Sequence, residues 1–224
     1  MQKISVKGEI ITNDNKWIYD YFGMDSTCPK DVESLLAKAN GGDVIVDINS
    51  GGGDIFAGSE IYTMLRGYSG NVEIHIVGIA ASAASVIAMA GKSKISPTAL
   101  FMIHNVSGCA SGDCNEFEKQ ADILKTANQS IANAYIEKTG LSNENLLQMM
   151  NAETWLTSKQ AVEKGFVDEV LFENGNTVLR NDFGGLSNNT ISKLRNLIPK
   201  NKFNSEQEKL NLLKLKGEYQ HEIF

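Results

Sequence analysis

The sequence has only three cysteines, Cys28, Cys109 and Cys114. An odd count gives no disulfide framework, and no second ligand pair follows the C-x4-C spacing of Cys109 and Cys114, so neither a zinc site nor any other metal or cofactor is expected. A reducing compartment fits this usage. Positive charge is also short: 21 Lys and Arg stand against 27 Asp and Glu, for a net charge of −6. No basic cluster relieves that balance, which excludes nucleic acid and anionic membrane surfaces as expected partners. Long apolar runs are missing too. The longest, Ile74 to Ala90, is interrupted and too short to span a bilayer, and Met1 to Val6 carries no basic-then-apolar leader. The expectation is a soluble, unexported, cytoplasmic protein. Histidine is confined to His75, His104 and His221, so a histidine general base has three places to sit.

What is present is enough apolar residue, 42% of 224, for one good core with a short appendage. Ile4 to Ile11 reads as a strand, and Asn13 to Tyr21 as a connection or short helix. Pro29 opens a helix, Asp31 to Ala39, that ends at Asn40-Gly41-Gly42. Val44 to Asn49 is the next strand and runs into Ser50-Gly51-Gly52-Gly53-Asp54, after which Gly58, Ile61, Leu65 and Tyr68 recur at helical spacing. Val72 to Val77 alternates as a strand, and the small residues after it read as a buried helix closed by Gly91. Repeated strand–loop–helix units with small residues at the strand ends argue for parallel strands, right-handed crossovers and a ligand site at those ends.

Gly78-Ile79-Ala80-Ala81-Ser82-Ala83-Ala84-Ser85 is the stretch that carries chemistry. Ser82 sits at a strand-to-helix junction, where small neighbours admit a substrate and the first helical N–H groups can face a developing oxyanion. Such a run also fits nothing more than a tightly packed helix. The triple glycine has two readings as well, a turn or a bare backbone edge for an extended peptide; the context of a phosphate cradle is absent, which excludes nucleotides. Lys94 to Ile103 reads as a hairpin-like return that delivers His104 to a strand end, a suitable place for a general base.

Asn105 to Gly112 is loop-like. Phe117, Ala121, Leu124, Asn128, Ile131 and Tyr135 then step along a long helix ending near Gly140, either a core helix or an arm that meets another subunit. A shorter helix, Glu144 to Met150, follows. Thr157-Ser158-Lys159-Gln160 is a capping box opening a helix stopped by Gly165, and Phe166 to Val170 is a final short strand. Beyond about Glu173 Asn, Lys and Glu dominate. The expected division is therefore a domain over 1–172 and a polar extension over 173–224, ordered in an assembly or removed by processing.

Four ordered blocks, Asp47-Ile48-Asn49-Ser50-Gly51-Gly52-Gly53, Gly78-Ile79-Ala80-Ala81-Ser82-Ala83-Ala84, Phe101-Met102-Ile103-His104-Asn105 and Trp155-Leu156-Thr157 with Ala161 to Asp168, resemble the Clp peptidase family. The resemblance covers roughly Ile4 to Val170 and is closer to the phage and prophage branch, the Clp-like head-maturation proteases. It implies an α/β fold, the spiral of repeated strand–strand–helix units shared with crotonases, with a protruding handle helix at Asn115 to Lys138.

It also implies a serine endopeptidase with Ser82 as nucleophile, His104 as general base and Glu153 as the acid, where housekeeping members usually carry Asp. Glutamate can orient a histidine through its longer arm; Asp168 is the rival. The family's oxyanion donors match the backbone N–H groups of Gly53 and Ala83. Its substrate would lie extended between Gly52, Gly53, Asp54 and Ile55 on one side and Asn105, Val106 and Ser107 on the other. Implied partners are capsid or scaffolding proteins as substrates and further copies of the chain in a ring or stacked rings, in the cytoplasm of a bacterial host or inside proheads. The chain starts almost at its first strand, which leaves no support for an unfoldase ATPase partner. Three rival readings remain open: a crotonase-type acyl-CoA enzyme, a Ser/Lys peptidase using Lys92 or Lys94, and a catalytically silent assembly subunit.

Overall fold

The computed structural model describes residues 1–172, so the extension expected at 173–224 lies outside the described residues. The strands are β1 (Gln2–Ile10), β2 (Ser26–Thr27), β3 (Val44–Gly53), β4 (Val72–Ala81), β5 (Lys92–Ile95), β6 (Leu100–Ile103), β7 (Thr154–Thr157) and β8 (Glu169–Val170). The helices are α1 (Lys16–Phe22), α2 (Pro29–Ala39), α3 (Ile55–Arg66), α4 (Ala83–Ala88), α5 (Cys114–Thr139), α6 (Asn143–Asn151) and α7 (Ser158–Glu163).

Period-two alternation builds the sheet. Ile4 and Val6 of β1, Val44, Val46 and Ile48 of β3, and Ile74 and Ile76 of β4 are fully buried on one face, where they meet Ala57, Ile61 and Leu65 of α3 and most of α4. Each such aliphatic side chain contributes roughly 1.5–3 kcal/mol by leaving water. Residues between them carry charge across the opposite face: Lys3 pairs with Asp47 at 2.6 Å, His75 with Glu73 at 2.6 Å and Lys94 with Glu73 at 2.9 Å. The strand order is β2-β1-β3-β4-β5-β8, all parallel, with β6 also on β4 and β7 antiparallel to β6.

Two features differ from the sequence reading. The stretch from Lys94 to Ile103 is no hairpin: β5 and β6 both run parallel to β4, one after the other along its length. The Ser96–Ala99 link closes a tight turn, with the Ala99 N–H on the Ser96 carbonyl at 3.0 Å, while the Ser96 N–H holds the Ile76 carbonyl at 2.8 Å. The turn therefore sidesteps along β4 and cannot reverse the chain. Secondly, β3 continues through the glycines, because Gly52 and Gly53 pair with Glu9 and Ile10 of β1 after the register shifts between Lys7 and Glu9.

The long helix α5 starts at an Asp113 cap that accepts from the N–H groups of Asn115 and Glu116. Its first half is exposed, with Phe117 and Ile123 about half accessible at 52% and 50%, whereas Ala132, Ala134 and Tyr135 are buried. The capping box at Thr157 and Gln160 opens α7 as read from the sequence. Asp168 fastens the far end of α5 to the sheet: its carboxylate accepts from the Ser93 N–H at 2.6 Å, the Ser93 hydroxyl at 3.2 Å and Lys138 Nζ at 2.5 Å. Burial pushes the Asp168 carboxyl up, but the hydrogen bonds from Lys138 and Ser93 outweigh it and hold the group below its ordinary value. A depressed native value stabilises the fold above the unfolded carboxyl value of about 4, and that stabilisation is lost as pH falls through the native value. Thermal midpoints measured from neutral pH downward should therefore drop in acid, with a shallower drop in Asp168→Asn. Equal slopes for the two proteins would rule the clamp out as the source.

Candidate active site

Ser82 follows the last residue of β4 and precedes the first of α4, with φ 54° and ψ −126°. A non-glycine residue at positive φ is strained, and it persists here because both flanking elements are buried and fixed. The sharp bend lifts the hydroxyl clear of strand and helix. Next to β4, strand β6 places Met102 opposite Ala81, and the Ser82 N–H donates to the Met102 carbonyl at 3.2 Å. His104 leaves β6 two residues later, and its Nε2 lies 2.7 Å from Ser82 Oγ.

That contact suits a proton transfer. When Ser82 Oγ–H donates, Nε2 is the acceptor and the ring proton sits on Nδ1. Deprotonated in this way, the hydroxyl becomes a nucleophile beside a base poised to return the proton. Both side chains are half-buried, so substrate can reach them.

The candidate third member, Glu153, is placed differently. Glu153 lies in the turn after α6, at φ 46°, and its Oε1 accepts from the Trp155 indole at 3.1 Å. No hydrogen bond or ion pair joins His104 to a carboxylate among the described residues. Asp168 is committed to Ser93 and Lys138. Lys92 is held by Glu169 at 2.9 Å and Lys94 by Glu73 at 2.9 Å, so neither lysine of the Ser/Lys alternative is joined to Ser82.

The glycine edge abuts Ser82. A Cβ on Gly52, at φ +105°, would stand 2.6 Å from Ser82 Cβ and 3.1 Å from the Ala83 nitrogen. Ala83 is the first residue of α4, where a helix leaves N–H groups unused by its own ladder. The Asp54 N–H donates to the Ile10 carbonyl at 2.7 Å, its carboxylate caps α3 through the Ala57 N–H at 2.7 Å, and Ile55 already belongs to that helix. An extended edge is thus confined to the glycines. Across the site, Asn105 donates to Asn151 at 2.7 Å, the Val106 N–H donates to Asn128 Oδ1 at 2.7 Å, and Ser107 is exposed. Asn128 and Asn151 went unrecognised as supports for this segment; Asn128 read only as one step in a helical repeat.

Among the described residues no group of three His, Cys, Asp or Glu could hold a metal ion, and no helix is long and apolar enough to cross a membrane.

The family model described as Clp protease matches residues 27–174. The chain belongs to the Clp protease family. The Clp sequences it matches include the ATP-dependent Clp protease proteolytic subunit of Bacteroides fragilis, 32% identical over 136 residues, which is 59% of this chain and 66% of that relative. The ATP-dependent Clp protease proteolytic subunit 1 of Chlamydia muridarum is 31% identical over 144 residues, 62% of this chain and 74% of its own length. The chain thus spans just under two thirds of the first of these relatives. A solved structure of a mutant ClpP1 from Listeria monocytogenes superposes with a TM-score of 0.62 at 25% identity, covering 76% of this chain and 91% of that one. The parallel α/β architecture is therefore that of the Clp fold.

Proposed function

We propose that this Clp family chain is a serine endopeptidase. The observation that carries the reading is the 2.7 Å contact between His104 Nε2 and Ser82 Oγ at the strained junction of β4 and α4. Ser82 Oγ attacks a peptide carbonyl as His104 takes its proton. The tetrahedral oxyanion is held by the N–H groups of Gly53 and Ala83, each worth on the order of 3 kcal/mol to the transition state. His104 then protonates the leaving amine, and water releases the acyl group by the same steps in reverse roles. Glu153 supports the imidazolium after its carboxylate turns from Trp155 towards Nδ1.

The substrate lies extended against the glycine edge and the Asn105–Ser107 segment, held mainly through its main chain, so side-chain selectivity is modest. The sequence blocks favour the head-maturation branch, with capsid or scaffolding proteins as substrates. The exposed half of α5, with Phe117 and Ile123, suits contact with another copy in a ring or stacked rings. Residues 1–172 form the peptidase domain in this reading.

Intact-mass spectrometry after treatment with a fluorophosphonate, with native mass measured in parallel, tests the proposal. One phosphonyl group on the wild type and none on Ser82→Ala is the expected result. An assembled wild-type protein that never reacts would overturn the peptidase reading in favour of a silent assembly subunit.

A further inference from the structure

We infer that Ser85 and Tyr135 are positioning residues that set the direction of the Ala83 N–H, one of the two oxyanion donors; the inference rests on Ser82 being the nucleophile. The Ser82 carbonyl accepts from the Ser85 N–H at 2.9 Å, from the Val86 N–H at a longer 3.4 Å, and most closely from Ser85 Oγ at 2.6 Å. Ser85 Oγ also lies 2.7 Å from Tyr135 Oη. A carbonyl cannot donate, so the single Ser85 hydroxyl proton is committed to Ser82. Tyr135 must then be the donor to Ser85. The relay runs in one direction, from Tyr135 Oη–H to Ser85 Oγ–H to the Ser82 carbonyl.

The geometry of the peptide bond gives this relay its consequence. The Ser82 carbonyl and the Ala83 N–H belong to one rigid, planar, trans group and point in opposite directions. Pinning the oxygen on the inner side aims the hydrogen outward, where the oxyanion forms. A residue at φ 54° and ψ −126° has no local preference that would hold this plane by itself. Ser85 and Tyr135 are 0% and 1% exposed, so water does not compete for their hydrogen bonds. Burial also pushes the phenol of Tyr135 up, so it keeps its proton and its donor role near neutral pH.

Tyr135 reaches the other half of the site through its ring. It packs edge-on against Phe166 at 5.8 Å, and Phe166 lies against Phe101 at 5.3 Å. Phe101 is in β6, the strand that delivers His104. One side chain of α5 thus braces the oxyanion peptide with its hydroxyl and the general-base strand with its ring. Tyr135→Phe separates the two roles, because it removes the hydroxyl and keeps the ring.

The test compares wild type, Tyr135→Phe, Ser85→Ala and the double variant as assembled full-length proteins. Initial rates on a fluorogenic peptide and rates of phosphonylation by a fluorophosphonate are measured, with circular dichroism and native mass as controls of fold and assembly. Misaiming one donor should lower kcat about tenfold with little change in KM, and slow phosphonylation in parallel. The double variant should lose no more than Ser85→Ala alone, because Tyr135 acts on this peptide only through Ser85. Folded single variants that react at the wild-type rate would overturn the inference while leaving Ser82 as nucleophile. Losses that multiply in the double variant, or that appear in KM, would also overturn it. A wild-type protein that fails to label would overturn the underlying peptidase reading.

Discussion

Ser82→Ala should fold and assemble as the wild type does and turn over no peptide. The substitution removes one oxygen whose described side-chain contact is with His104, and it keeps the Cβ, so the packing around the junction and the strain at φ 54° are unchanged. The loss in kcat should be on the order of a millionfold, the scale at which a triad is disabled, leaving what the oxyanion donors and binding supply alone. His104→Ala should be of similar severity, because the hydroxyl without an acceptor is a poor nucleophile near neutral pH. The double variant should be no worse than either. Rates on a fluorogenic peptide, normalised to folded protein, check all three. A double variant that falls by the product of the single losses would mean that Ser82 and His104 do not act as a unit.

The second large effect is expected at Gly52. Alanine there must adopt φ +105°, at a cost of about 1–3 kcal/mol. Its methyl carbon would stand 2.6 Å from Ser82 Cβ and 2.8 Å from the Ala81 carbonyl oxygen. Overpacking of this kind costs a further 1–3 kcal/mol or so. The clash is with the proposed nucleophile itself, so relief requires Ser82 or the glycine edge to move by a good fraction of an ångström. Displacements of that order cost about a hundredfold in rate. Gly51→Ala is the control, since a Cβ there meets nothing within 4 Å and its φ is unremarkable. Calorimetry and kcat together decide: Gly52→Ala should lose both thermal midpoint and rate, and Gly51→Ala neither. Equal activity of the two would mean that the glycine edge does not form part of the site.

Several parts of this architecture were legible from residues alone because local rules and the fold agree. The β-branched alternation in Val44 to Ile48 and Glu73 to Ile76, the proline-opened α2 and the Thr157–Gln160 box each specify an element without help from distant residues. The strand-end positions of Ser82 and His104 were legible for the same reason, although the strand that leads to His104 is a parallel neighbour of β4 and not the arm of a hairpin. Other features depend on tertiary register. Ser96 to Ala99 has the composition of a reversal, and only the bond from Ser96 to Ile76 shows that it is a sidestep. The glycines read as either a turn or a bare backbone edge, and pairing of Gly52 and Gly53 with Glu9 and Ile10 keeps them in the strand. Tyr135 is by spacing one step of a helix that reads as either core or an arm; it is buried, and no pattern ties its hydroxyl to Ser85 fifty positions earlier. Glu153 shows the opposite case. Its block is recognisable, while its carboxylate is held by the indole two residues on.

The backbone at Ser82 has a conformation that suits the first central residue of a type II′ turn, a place ordinarily given to glycine. Chemistry and conformation therefore compete for one position. The proposed reaction needs a Cβ carrying a hydroxyl where the chain would be most relaxed with neither. Stabilising drift at this position leads directly to glycine and to an inert protein with its architecture intact. An enzyme built on such a bend is one substitution from becoming a scaffold, and the substitution that disarms it is the one its own folding energetics favour.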